Sequence, residues 1–146
     1  MHKALNYMSL ARRGGRIELG EEPCGAAARA GHARLIVVAA DASPHTWRRA
    51  KSYVAGTDQQ CLRVPFSKDE MGEAIGRSSL AMAAFTDPAL ALAFVKALEQ
   101  REEYREVLEN LENKTKRLKQ RQDEARAHQR NLRMGKVRRA PGTKKD

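Results

Sequence analysis

The side chains able to do covalent chemistry are few and scattered. The chain holds four histidines (His2, His32, His45 and His128) and two cysteines, Cys24 and Cys61. Neither cysteine has a histidine at a spacing that would set up a thiolate nucleophile or a metal site. No pair of histidines shares a helix face with a glutamate, and no glycine-rich loop ends in Lys-Ser or Lys-Thr to cradle phosphates. Asp41 follows an apolar run, as a strand-end catalytic carboxylate would. The commoner use of such an aspartate is to cap the loop after it. The expectation is a protein that is not an enzyme, with no metal and no cofactor.

Cations are the abundant functional groups, and they are unevenly placed. Residues 1–100 carry 13 Lys/Arg against 10 Asp/Glu, residues 101–111 carry 2 against 4, and residues 112–146 carry 13 against 4. The formal charge of +10 is therefore a property of the last quarter. Its cations are Lys114, Lys116, Arg117, Lys119, Arg121, Arg126, Arg130, Arg133, Lys136, Arg138, Arg139, Lys144 and Lys145. A block of this kind meets polyanions, of which nucleic acid is the commonest. No aromatic residue follows Tyr104. The arm is thus expected to grip phosphate backbone rather than stack on bases or read sequence. A membrane surface suits it less, because the apolar face fades as charge builds. No apolar run approaches the roughly 20 residues of a membrane span, and the segment after Met1-His2-Lys3 lacks the apolar middle of a secretory signal. With two cysteines that frame no disulfide, a cytoplasmic location is expected.

The elements that would position these groups alternate. A helix over residues 3–13 stops at Gly14-Gly15, and a short strand covers residues 17–19. A second helix follows Gly20 over residues 22–30, with Pro23 in its first turn and Gly31 closing it. Leu35 to Ala40 is apolar without alternation, the pattern of a strand covered on both faces. Ser43-Pro44 caps and starts a third helix, over residues 44–55. Cys61 to Val64 is a third strand. Ser67 with Glu70 makes a capping box for a brief helix that ends at Gly76. Leu80 to Phe85 is a fourth strand, and Asp87-Pro88 opens the last helix. Strands alternating with helices at these intervals predict an α/β fold.

The same stretches carry a family resemblance. Ala11 to Arg16, Gly20-Glu21-Glu22, Ala33 through Ser43-Pro44, and Leu62 to Pro65 occur in that order. Ser67-Lys68 with Gly72 to Gly76, and then Thr86-Asp87-Pro88, follow. Residues 3–99 thereby resemble the ribosomal kink-turn-binding proteins, the L-seven-Ae/L-thirty-e superfamily, and within it a YlxQ-like bacterial branch. The resemblance implies a three-layer α-β-α sandwich with a four-stranded mixed sheet. It implies that Gly20, Glu21 and Glu22 open a helix that reads the sheared G·A pairs of a kink-turn, with phosphate favoured at the helix N-terminus. Glu22 stands where the family often has asparagine or lysine, Pro23 where it has glutamate or glutamine, and Ala26 where it has a base-reading lysine. The family's second contact corresponds to Gly76, Arg77, Ser78 and Ser79, residue types suited to phosphate and 2′-hydroxyl groups. Arg12, Arg13 and Arg16, close by in sequence, are expected to widen this positive face.

After Asp87-Pro88 no stop appears before Gly135, so one helix is expected from Pro88 to Met134. Tyr104, Leu108, Leu111, Thr115 and Leu118 follow heptad spacing. The register then turns polar at Gln122, Ala125 and Gln129. The sequence admits a homodimer through this helix but favours a solvated one. The organisation expected is an RNA-binding α/β domain over residues 1–99, a charged helical extension over 100–134 and a basic disordered tail over 135–146. The partner expected is structured RNA, ribosomal RNA by implication of the family. The second reading is an adaptor that pairs with itself or a partner through residues 104–118.

Overall fold

The structure, a computed structural model, describes residues 1–99 and 102–139, and side chains as far as residue 132. In chain order the elements are α1 (Lys3–Arg13), β1 (Ile17–Leu19), α2 (Glu21–Arg29), β2 (Leu35–Val38), α3 (Pro44–Val54), β3 (Cys61–Arg63), α4 (Lys68–Ala74), β4 (Met82–Phe85) and α5 (Pro88–Ala97). A 3₁₀ turn (Glu102–Tyr104) then leads into α6 (Arg105–Arg139). The sheet order is β1-β4-β2-β3. β4 runs antiparallel to both β1 and β2, and β2 runs parallel to β3. Helices α2 and α3 pack together on one face, and α1, α4 and α5 on the other. This is the expected α-β-α sandwich with a mixed sheet.

The local signals fold as their chemistry dictates. The Ser43 hydroxyl accepts from Thr46 N at 3.2 Å, with Pro44 at the first helical position. Ser67 Oγ accepts from Glu70 N at 3.0 Å while Glu70 Oε1 accepts from Ser67 N at 2.9 Å, closing the capping box. Asp87 Oδ1 caps α5 by accepting from Ala89 N at 3.0 Å. Every residue of β2 and β4 is buried, as strands covered on both faces require. Among the described residues no helix is long and apolar enough to cross a membrane.

Three expectations fail toward the C-terminus. The helix begun at Pro88 does not run on: α5 ends at Ala97, and Leu98 turns to extended backbone with its side chain buried. The break allows Tyr104, Val107 and Leu111 to join the core, with Leu108 packed against it. Interrupting a helix forfeits a few backbone hydrogen bonds worth about 1 kcal/mol net each. Burying each of those side chains returns roughly 1.5–3 kcal/mol, so the turn wins. The heptad seam of the adaptor reading therefore loses its first half, since Tyr104 (1 % exposed) and Leu111 (0 %) already lie in the domain's own core. The expected stop at Gly135 is not used either, because α6 continues to Arg139. A single glycine costs a helix only about 1 kcal/mol. Of the expected disordered tail, residues 140–146 lie outside the described residues.

By contacts the chain divides into a compact unit, Met1–Glu112, and a second unit from Asn113 onward, which begins within α6. The first unit therefore extends past the family-like region as far as Glu112. Tyr104→Ala is expected to lower the unfolding free energy by about 3–5 kcal/mol, measured by urea denaturation. A chain ended after Glu112 is expected to unfold cooperatively. One ended after Gln100, lacking Tyr104, Val107 and Leu111, is expected not to.

Candidate nucleic-acid interface

Gly20 takes a φ of 96°, a conformation that side-chain-bearing residues rarely adopt, and so turns the chain from β1 into α2. Its N–H donates to Met82 O at 2.9 Å, one step beyond the β1–β4 ladder. Gly20 offers the helix no side-chain cap, and Pro23 has no N–H. The N–H groups of Glu21 and Glu22 are left as the donors of the helix end, where an anion would bind.

The first turn of α2 is steadied from α3. Glu21 Oε1 pairs with Arg49 Nε at 3.1 Å, and Arg49 Nη2 donates to Tyr53 Oη at 3.0 Å. Tyr53 in turn lies against α2 at Gly25, where a Cβ would fall 3.0 Å from the ring. Arg49 thus offsets one of the two carboxylates at a helix end that would otherwise repel phosphate, while Glu22 stays exposed. Sequence reasoning did not find Arg49, since nothing local links it to Glu21. Cys24, one turn in, is no nucleophile. Its thiol donates to Glu18 O at 3.7 Å, and burial, then the charges of Glu18 and Glu21, push its pKa up to about 12.

The loop Gly76-Arg77-Ser78-Ser79 is pinned across α4. Arg77 N donates to Gly72 O at 2.8 Å, and Leu80 N to Lys68 O at 3.0 Å. The crossing is close because position 72 is glycine: a Cβ there would sit 2.7 Å from Ser79 N and 2.8 Å from Arg77 O. The loop runs directly into β4 at Met82, the residue that receives the Gly20 N–H. Ala39 N donates to Ala81 O at 3.0 Å on the other side. The turn at Gly20 and the loop at 76–79 therefore meet at one end of the sheet, with Arg77, Ser78 and Ser79 exposed. Asp41 lies at this end too, and its Oδ1 accepts from Lys68 N at 2.8 Å.

Arg12, Arg13 and Arg16 do not join that end. Arg16 precedes β1 and Gly20 follows it, so the strand separates them by its length. Arg16 Nη1 pairs with Asp87 Oδ2 at 3.1 Å, and Arg16 O accepts from Thr86 N at 3.0 Å. Closeness in sequence misplaced these arginines, because a strand carries neighbours apart. Between the two ends an open groove of about 610 Å³ runs beside α2, lined by Glu18, Pro23, Ala26, Ala27, His32 and Thr86.

In the second unit, Lys116, Arg117, Lys119, Arg121, Arg126 and Arg130 are exposed on α6, and Lys114 is half-buried. At about 100° per residue they occupy more than half of the helix circumference, a distribution suited to contact with backbone phosphate from several sides. Arg133, Lys136, Arg138 and Arg139 belong to the helical backbone of α6, but their side chains lie outside those described. Lys144 and Lys145 lie outside the described residues.

No protein-family model matches the sequence, and no curated protein matches it. Solved structures do. A protein of unknown function from Bacillus halodurans is similar at a TM-score of 0.63 and 21 % identity, over 68 % of this chain and 100 % of that one. A 15.5 kD RNA-binding protein from Giardia lamblia is similar at a TM-score of 0.50 and 21 % identity, over 64 % of this chain and 79 % of that one. The likeness is one of fold.

Gly72→Ala is expected to displace the 76–79 loop and to cost about 1–3 kcal/mol of stability through overpacking, read as a drop in the urea midpoint. Cys24 should resist alkylation at pH 8 in the folded protein and react once urea unfolds it. Its raised pKa stabilises the fold fully below the unfolded thiol's value near 9.0, and that contribution is lost as pH rises toward about 12. Replacing Cys24 with alanine should flatten this part of the alkaline stability curve.

Proposed function

We propose that the chain is a non-enzymatic RNA-binding protein of the kink-turn-binding superfamily, in its YlxQ-like bacterial branch, acting on structured RNA such as a ribosomal kink-turn. The observation that carries this reading is the convergence of two backbone features at one end of the sheet. They are the uncapped α2 N-terminus behind Gly20 and the Arg77-Ser78-Ser79 loop held across Gly72. Helix-end N–H groups and hydroxyls suit phosphate and 2′-hydroxyl contacts. Glu22, exposed in the first turn of α2, would accept from guanine N–H groups, while Arg49 offsets the neighbouring Glu21. The RNA-binding Giardia protein of the same fold adds support. The exposed cations of α6 would add salt-sensitive contacts to the phosphate backbone without reading bases.

Binding to a kink-turn RNA and to a plain duplex of equal length, across a salt series, tests the reading. The full chain and a chain ended after Glu112 are compared. The shorter chain is expected to prefer the kink-turn, and the full chain to bind both RNAs more tightly with a steeper salt slope. If six to ten arm cations meet phosphates, affinity should drop about 10³–10⁵-fold between 50 and 200 mM salt, by the duplex-DNA estimate. Equal affinity of the shorter chain for the two RNAs would sink the site-specific half of the proposal.

A further inference from the structure

A second cationic feature lies on the opposite edge of the sheet. Trp47, the chain's single tryptophan, is half-buried on α3. Arg63, at the end of edge strand β3, holds its Cζ 5.0 Å from the indole centroid. Lys51, one turn further along α3, holds its Nζ 5.8 Å from the same centroid. Both cations are exposed. The other charged groups along residues 44–63 are Arg48, Arg49 and Asp58, with His45 beside them, so this segment of the chain is predominantly basic. Each cation lies within reach of the same indole ring, and neither has a carboxylate partner among the ion pairs of the described residues. A phosphate reaching this ring would meet both charges.

The register adds a direction. Met82 pairs with Val38, and Val38 with Arg63, so Arg63 stands at the same sheet end as Gly20. Three inter-strand spacings, about 14 Å, separate the two edges. We propose that the Trp47–Lys51–Arg63 cluster is a second RNA contact, one that takes an unpaired strand leaving the structured element. Lys51 and Arg63 would hold phosphate, and the guanidinium of Arg63, backed by the indole, offers a plane on which a base stacks. The proposal extends the RNA-binding reading but does not need the Gly20 end to read a kink-turn. Nucleic acid fits better than an acidic peptide because cations and an aromatic ring are interleaved.

The single tryptophan provides a local readout in the full chain. A short labelled oligouridine, titrated while Trp47 emission and the label's anisotropy are both followed, is expected to quench the tryptophan. The double variant Lys51→Ala/Arg63→Ala should weaken oligouridine binding about tenfold and lower the log–log salt slope by about 1.4, the single-strand value for two phosphates. Lys51→Arg, which keeps the charge, should retain the wild-type slope. The double variant should also keep any preference for a kink-turn over a duplex, so failure of one reading is distinguishable from failure of the other. Unchanged emission at saturating oligouridine overturns the proposal, as does a double variant with wild-type affinity and slope. Equal quenching by poly-glutamate at the same salt would assign the surface to acidic protein instead, and also overturns it.

Discussion

The register of β4 between β1 and β2 is the constraint on which the rest of the molecule depends. All four β4 residues are buried, and Ala83 and Ala84 each face a partner on both sides, with β1 at Leu19 and Glu18 and with β2 at Val37 and Ile36. A slip of one residue would exchange the faces of every β4 side chain. It would also take Met82 away from Gly20 N and pull the 76–79 loop off Gly72. The ladder and the surface it presents are thus one arrangement. The apolar content of the strands holds the register, and the register places the polar backbone at the sheet's end.

That surface is built mainly from backbone. The α2 end contributes N–H groups, and Gly20 and Gly72 contribute conformations or clearances that a Cβ would forbid. The side chains around it carry both signs. Glu21 and Glu22 suit the helix dipole but oppose phosphate, and Arg49 reaches across from α3 to offset the first of them. As proposed, such a site would discriminate by shape and hydrogen-bond geometry more than by net attraction. Most of the chain's net positive charge lies elsewhere, in residues 112–146, where on the proposed reading it would add affinity without selecting a partner. On that reading, separating the two would let a mixed-sign site select while a cationic helix retains.

The fold was legible where short-range chemistry decides it. Ser43-Pro44, the Ser67–Glu70 box and Asp87-Pro88 each satisfy backbone N–H groups within a few residues, and each started a helix where expected, while the apolar run at Leu35 formed the buried strand. What remained hidden was tertiary. Nothing between Ala97 and Tyr104 is a strong helix breaker, so the turn at Leu98 exists because the core has room for Tyr104 and Leu111. Gln59 is similar: one buried side chain accepts from Ala33 N and donates to Ala28 O, both at 3.0 Å, tying the end of α2 to the approach to β3. Gly20 and Gly76 to Ser79, grouped from sequence, do lie at one end of the sheet. The grouping of Arg12, Arg13 and Arg16 with them was not realised, because proximity along a strand is distance in space. The Arg49–Glu21 pair and the approach of Arg63 to Trp47 went unnoticed because in each the two residues lie on different elements.

The late closure of the core has a consequence for how the protein is made. Strand β4 is complete at Phe85 and α5 at Ala97, so every strand of the sheet exists well before the chain reaches Leu111. Synthesis at about 5–20 residues per second takes about a second to add the intervening stretch. Until those residues are added, a chain that already carries all four strand segments lacks the side chains of Tyr104, Val107 and Leu111 that cover its core. The strongly basic part of the chain follows immediately, so the polypeptide gains its main charge only after its last apolar seal.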